Sequence, residues 1–226
     1  MTDPYGKAFP VWRAAAGPEW EAYVTHPFVE GLRDGTLPRA AFLGYLAQDY
    51  VFLKHFARAW AMAVVKSDTL AEMGAASATV DALVHHEMPL HRRICAEAGI
   101  DADALERTVE ATETLAYTRY VIEAGLAGDL CDLLAALAPC VLGYGEIGAR
   151  LGASGPAPTY RAWIDTYAGD DYQALCRDVG GLIDGALARR IGPDFAAAPR
   201  WPQLTDRFTV ATRLEAGFWA MGLRAG

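Results

Sequence analysis

The sequence predicts an all-α protein, one helical-bundle domain over residues 1–226. Three observations lead there. Apolar residues recur at steps of three and four through nearly every long segment. No stretch alternates apolar and polar residues long enough to make a strand. The Gly, Pro and Asp residues that break structure gather in short connections between long periodic runs.

Taken in order, Pro10–Arg33 reads as two shorter helices divided near His26-Pro27. From Pro38, the segment PRAAFLGYLAQDYVFLKHFARAWAMAVVK places Phe42, Tyr45, Asp49, Phe52, Phe56 and Trp60 on one face of a helix about 28 residues long, with Thr36 as its cap and Pro38 in its first turn. Ser67-Asp68 ends that helix, and a second runs roughly from Thr69 to Ala98, closing on Gly99. Asp101 or Asp103 caps a third, reaching about Ala124 before Gly125 and Gly128 break it. Asp129 opens a very apolar helix, LCDLLAALAPCVLGYGEIGARL, to about Leu151. The loop GASGPAP (152–158), a short helix near Tyr160–Tyr167 and a turn at Gly169-Asp170-Asp171 follow. Another helix covers Tyr172–Arg190, and after IGPDFAAAPRWP the last spans about Gln203–Leu223.

Composition narrows the function. With 53% hydrophobic residues in 226, the chain can fill a sizeable core. A formal charge of −8, from 20 basic and 28 acidic residues, repels phosphate backbones, which argues against nucleic acid as a partner. The opening MTDPYGKAFPVW has no basic stretch followed by an apolar one, and runs such as Phe56–Val65 are too short to span a bilayer, so no membrane is expected. The four cysteines, Cys95, Cys131, Cys140 and Cys176, form no C-x-x-C pair and read as free thiols in a reducing, cytoplasmic compartment.

Three residues stand out chemically. Cys140 lies in the apolar helix, one turn before Tyr144 on the same face, and Pro139 beside it removes a backbone donor and kinks the helix. It is either a small core residue or a nucleophile. Asp49 sits on an aromatic helix face, where a carboxylate needs a partner: a core Tyr, Lys or Arg, or a ligand. Glu215, in RLEAGFWAMG, shares its face with Phe218 and Trp219. It is either a solvated partner of Arg213 or a buried acid whose pKa desolvation raises. The segment VHHEMPLHR suggests a metal, but His86 and His91 are five apart with Pro89 between them. Glu87 and Glu146 could donate, yet no histidine follows His91, so no metal is expected.

In order and spacing, PFVEGLRDGTLP, LAQDYVFL, HHEMPLH, LAPCVLGYGEIG and LEAGFW together resemble the TenA family, thiaminase II-like proteins with a heme-oxygenase-like helical fold. The resemblance spans nearly the whole chain and places it in the cysteine-bearing branch. It implies hydrolysis of thiamin-related aminopyrimidines, releasing hydroxymethylpyrimidine in thiamin salvage, with thiamin itself a substrate of some members. It implies Cys140 as nucleophile, Glu215 as acid/base and Asp49 on the ring nitrogen and exocyclic amine. Tyr117, Tyr144 and Tyr167 would surround the substrate, and Phe52 would stack on it. A homotetramer is implied as well, and the chemistry calls for no metal or organic cofactor. The alternatives are a metal- or cofactor-dependent oxidase on the same bundle, and a pyrimidine-binding or regulatory protein without catalysis.

Overall fold

The computed structural model describes residues 4–155 and 157–225, and among them there is no strand. The chain opens with α1 (Ala8–Ala16), α2 (Pro18–Val24) and α3 (Pro27–Asp34). It continues with α4 (Arg39–Lys66), α5 (Leu70–Ala82), a π-helical turn (Leu83–Glu87), α6 (Met88–Glu97) and α7 (Ala102–Glu106). Then come α8 (Thr112–Ala127), α9 (Leu130–Ala153), α10 (Arg161–Ala168), α11 (Asp170–Ile191) and α12 (Trp201–Arg224). The all-α expectation holds.

The bundle is organised around α9, which packs against α12, α10, α11, α8 and α4. By length and composition this helix could cross a membrane, but 89% of its apolar window is buried inside the protein, so it is the core helix. A helix that is apolar all round has no face to give to water and is covered on every side. Its start is fixed by a capping box between Asp129 and Asp132. Asp132, itself buried, accepts from Arg207 Nε at 2.9 Å and also from Arg200, which ties the first turn of α9 to α12. The helix runs unbroken through Pro139, whose carbonyl accepts a hydrogen bond from the Tyr23 hydroxyl at 3.2 Å.

Several boundaries differ from the sequence expectation. Gly17-Pro18 divides the first expected helix into α1 and α2. Thr36 does not cap α4: its amide and hydroxyl both bond Asp34 Oδ1, at 3.0 and 2.6 Å, and Pro38 takes the cap position. The expected second helix is interrupted by the π turn, where the Met88 amide reaches back to the Leu83 carbonyl. Pro89 lacks an N–H, and a local widening of the helix accommodates it. Asp101 does cap a helix, accepting from the Ala104 amide at 2.7 Å, but that helix is the five-residue α7. The chain then leaves the helical path until α8 because Gln48 on α4 satisfies the break. Its Oε1 accepts from the Ala111 amide and the Thr114 hydroxyl, at 2.9 and 2.7 Å, and its Nε2 donates to the Val109 carbonyl at 2.9 Å. Asp170 and Asp171 belong to the first turn of α11, leaving only Gly169 between it and α10.

Candidate active site

All seven residues singled out in the sequence come together where α4, α8, α9, α10 and α12 meet. Cys140 is near the middle of α9 and Glu215 is on α12, which lies along it. The Cys140 thiol is within hydrogen-bonding reach of the Glu215 carboxyl, and Tyr117 on α8 donates its hydroxyl to Glu215 Oε1 at 2.9 Å. Phe52 packs against Tyr117, ring centres 4.9 Å apart, and against Phe218. Glu215 is 2% exposed, and Arg213, the partner that would have made it a surface residue, reaches Glu19 instead. Burial raises the Glu215 carboxyl to about 8, even though the bonds from Tyr117 and Cys140 favour its charged form. Burial, and then the neighbouring Glu215, push the Cys140 thiol well up. At neutral pH both groups therefore hold their protons, and the pair is uncharged.

A second group lies beside the first. Asp49, 3% exposed, accepts from the Tyr45 hydroxyl at 3.1 Å, and that hydroxyl is 3.4 Å from the hydroxyl of Tyr144. His91 is fully buried, with Nδ1 3.3 Å from Asp49 Oδ2 but not aligned for a hydrogen bond. Tyr167 donates to Glu87 Oε1 at 2.6 Å and lies 3.5 Å from His91 Nε2. The rings of Tyr144 and Tyr167 meet edge to face at 5.0 Å, linking the Asp49 and Glu87 ends of this group, and Phe218 stands between Tyr45 and Phe52, joining it to the first. Burial drives these titrations: Asp49 goes well up, Glu87 up to about 7, and His91 down to about 4.

Two glycines of LAPCVLGYGEIG allow the closeness. A Cβ on Gly143 would sit 2.4 Å from the Tyr23 ring, and one on Gly148 would sit 2.4 Å from the backbone of Tyr167. The second close approach brings α10, and with it Tyr167, against α9.

A cavity of about 750 Å³ opens beside these groups, its wall including Cys140, Glu87, Tyr167, Tyr172, His86 and Arg93. Asp49, Phe52, Tyr117, Tyr144 and Glu215 lie behind that wall, so Cys140 and Tyr167 are the expected site residues that meet open space. Asp49, Glu87 and His91 are the described residues whose donor atoms cluster as a cation would need, all within 4.8 Å of one another. Glu146, the other carboxylate weighed for a metal, points elsewhere, to Arg13 at 2.7 Å and Trp20 at 3.1 Å. Sequence reasoning passed over Tyr45, Glu87, His91 and Tyr172 as site residues. Tyr45 was legible through its place one turn before Asp49. Glu87 and His91 were noticed but tested only against metal spacing, and nothing local to Tyr172 marked it.

Fold and site together define a helical bundle whose core helix presents one thiol to a cavity, with a protonated carboxyl behind it. The chain belongs to the TENA/THI-4/PQQC family, whose model matches residues 13–225, and it has the heme-oxygenase-like fold of the TenA proteins. It is similar to a crystal structure described as a TenA family transcription regulator from Silicibacter sp. TM1040, with 62% identity, a TM-score of 0.97 and 99% of each chain covered. It is 38% identical to an uncharacterized protein of Haemophilus influenzae, over 92% of this chain and 95% of that one. It is 36% identical to the aminopyrimidine aminohydrolase of Halalkalibacterium halodurans, over 91% of each.

Proposed function

We propose that the chain is an aminopyrimidine aminohydrolase acting in thiamin salvage in the cytoplasm. It would convert 4-amino-5-aminomethyl-2-methylpyrimidine and water to the hydroxymethylpyrimidine and ammonia, with thiamin a further substrate. The observation that carries this reading is the placement of Cys140 on the cavity wall, in reach of a buried Glu215 that Tyr117 holds in turn. The named activity of the Halalkalibacterium relative agrees with it.

The chemistry follows from the protonation states. The leaving amine sits on a methylene attached to an aromatic ring, where direct displacement is slow. Cys140 sulfur adds to the ring, which loses its aromaticity and holds the intermediate covalently. As it adds, Glu215, whose carboxyl is raised to about 8 and holds a proton at neutral pH, gives that proton to the amine and takes the thiol proton, so the carbon–nitrogen bond breaks and Glu215 is left protonated. Water then adds to the methylene carbon, its proton passing to Glu215 while Glu215 returns its own to the departing sulfur, and the ring regains aromaticity. Ammonia leaves and a hydroxyl replaces it, so the atoms balance. A ring drawn in from the cavity past Cys140 and Tyr167 would reach Asp49 with its ring nitrogen and exocyclic amine, and Phe52, Tyr117 and Tyr144 would then enclose it.

An ammonia-release assay tests the reading. Cys140→Ala and Cys140→Ser are expected to lose most turnover with the helical circular dichroism spectrum intact, and Glu215→Gln to lose about 10²- to 10⁴-fold. Wild-type-like turnover in Cys140→Ala sinks the mechanism. The Asp49, Glu87 and His91 cluster favours one competing reading, a metal-dependent enzyme on the same fold. Stoichiometric iron or manganese in purified protein, with activity that follows the metal, would establish it instead. A role as a transcription regulator, the one named for the Silicibacter protein, would call for DNA binding, which the net charge of −8 opposes. The homotetramer is part of the same proposal and is supported by the exposed Val65, Leu70 and Leu126 at the end of α4, the start of α5 and the end of α8.

A further inference from the structure

The proposed reaction gives no role to Glu87 or His91, although both converge on Asp49. Asp49 comes from α4, Glu87 closes the π turn, and His91 lies four residues on in α6, on the same helical face. Each offers a ligand atom, and the three atoms lie within 4.8 Å of one another. His91 Nδ1 is 3.3 Å from Asp49 Oδ2, which matches the edge of about 3.3–3.4 Å between two ligands of a tetrahedral zinc ion.

The histidine is the telling member. It is fully buried, and its Nδ1 has no hydrogen-bond partner, being misaligned with the carboxylate beside it. Ligands that share a metal ion point at the ion between them and not at one another, so closeness without alignment is what coordination requires. The other side of the ring sets the tautomer. Tyr167 commits its hydroxyl hydrogen to Glu87 Oε1 at 2.6 Å, and its oxygen lies 3.5 Å from His91 Nε2. Nε2 therefore carries the imidazole hydrogen and Nδ1 keeps a bare lone pair, the form in which histidine binds a metal. Tyr45 steadies Asp49 from its own helix, donating to Oδ2 at 3.1 Å.

Charge agrees with geometry. Among the described residues neither acid is paired with a lysine or arginine, and two carboxylates with a neutral imidazole balance a dication. The protons these acids otherwise keep leave to solvent as the ion binds. One nitrogen and two oxygens suit a borderline ion such as zinc. Glu87 lines the cavity, which gives the ion its way in and leaves a fourth position for water from that side.

We propose that Asp49, Glu87 and His91 form a divalent-cation site of the kind that takes zinc, and that an ion held there excludes the pyrimidine ring from Asp49. The site stands on its own geometry, whereas its inhibitory effect rests on the aminopyrimidine reading above. Ion and ring both need the Asp49 carboxyl, so each displaces the other.

Calorimetric titration of the metal-free full chain with zinc chloride, with bound zinc counted by elemental analysis, tests the site. One zinc per chain is expected, with affinity falling at least about tenfold in Glu87→Gln and in His91→Asn. It is expected to hold in His86→Gln, an exposed histidine of the same turn. Where substitution of buried His91 unfolds the chain, the cavity-facing Glu87→Gln is read alone. No saturable binding, or binding that survives these substitutions, overturns the site. In wild type, 4-amino-5-hydroxymethyl-2-methylpyrimidine is expected to weaken zinc binding in proportion to its concentration, and zinc to inhibit ammonia release competitively. Ring and zinc bound together, or turnover that rises with zinc, overturns the exclusion. Zinc that binds as expected while the ring does not bind at all supports the site and overturns the aminopyrimidine reading, with the exclusion that rests on it.

Discussion

Glu215, Glu87 and His91 are displaced from their ordinary titration ranges by the same cause, loss of water, yet they act on folding in opposite directions. Glu215 and Glu87, raised to about 8 and about 7, keep in the folded chain a proton that the unfolded chain releases near pH 4.5. Their contribution is complete below that pH and is lost as pH rises through their folded values. His91, lowered to about 4 from 6.5, is neutral in the fold while the unfolded chain charges it, so its effect is lost as pH falls from 6.5. The two trends oppose one another in mildly acidic solution, and above 6.5 only the carboxyls act. Chemical denaturation is expected to show stability falling between pH 6.5 and 8.5, by about 2–3 kcal/mol from Glu215 and Glu87 together and further from Asp49, with Glu215→Gln making the slope shallower. An unchanged slope in the variant would mean that Glu215 is ionised in the resting fold.

Among the helices, α9 was legible as the buried one because no charged residue interrupts Leu133–Gly145, and the long face of α4 was legible because its aromatics keep step. The breaks at 83–87 and 107–111 were not. The first depends on how a helix absorbs Pro89, and the second on Gln48 arriving from a helix some sixty residues away. Local pattern carries no record of a partner that is distant in the chain. The seven candidate residues were found partly through aromatic company and partly through resemblance, whereas the grouping of His91 with Asp49 required α6 to be seen packed on α4. The contact of α10 with α9 gives a direct test of element packing. A methyl group on Gly148 would meet Tyr167 backbone atoms at 2.4 and 2.5 Å, which cannot swing aside as a side chain does. Gly148→Ala is therefore expected to cost about 1–3 kcal/mol in denaturant and to weaken pyrimidine binding by shifting Tyr167. Wild-type values for both would show that α10 is not held by this contact.

At the scale of the whole molecule, most large apolar side chains are inside; Val109, between α7 and α8, is 84% exposed, and three others lie at the end of α4, the start of α5 and the end of α8. Val65, Leu70 and Leu126 are 82%, 86% and 73% exposed. The Lys66 ammonium donates to the Gly128 carbonyl at 2.8 Å, which brings the ends of α4 and α8 together. Apolar groups gathered this way favour contact with another protein surface over water. Light scattering is expected to give four times the chain mass, and Leu126→Glu to lower it. A single-chain mass for wild type removes the tetramer.

The position of Cys140 on the most enclosed helix has a bearing on how such a protein can diverge. The thiol shares its helix with the packing that keeps the chain folded, so drift around it is purged by misfolding before chemistry is consulted. The far wall of the cavity is built instead from the π turn, the start of α6 and the junction between α10 and α11, where exposed side chains such as His86 and Asp171 can be exchanged at little cost in stability. Under the proposed reaction, new leaving groups can therefore be explored at the rim while Cys140 is inherited unchanged. Conservatism and novelty are divided between two sides of one cavity.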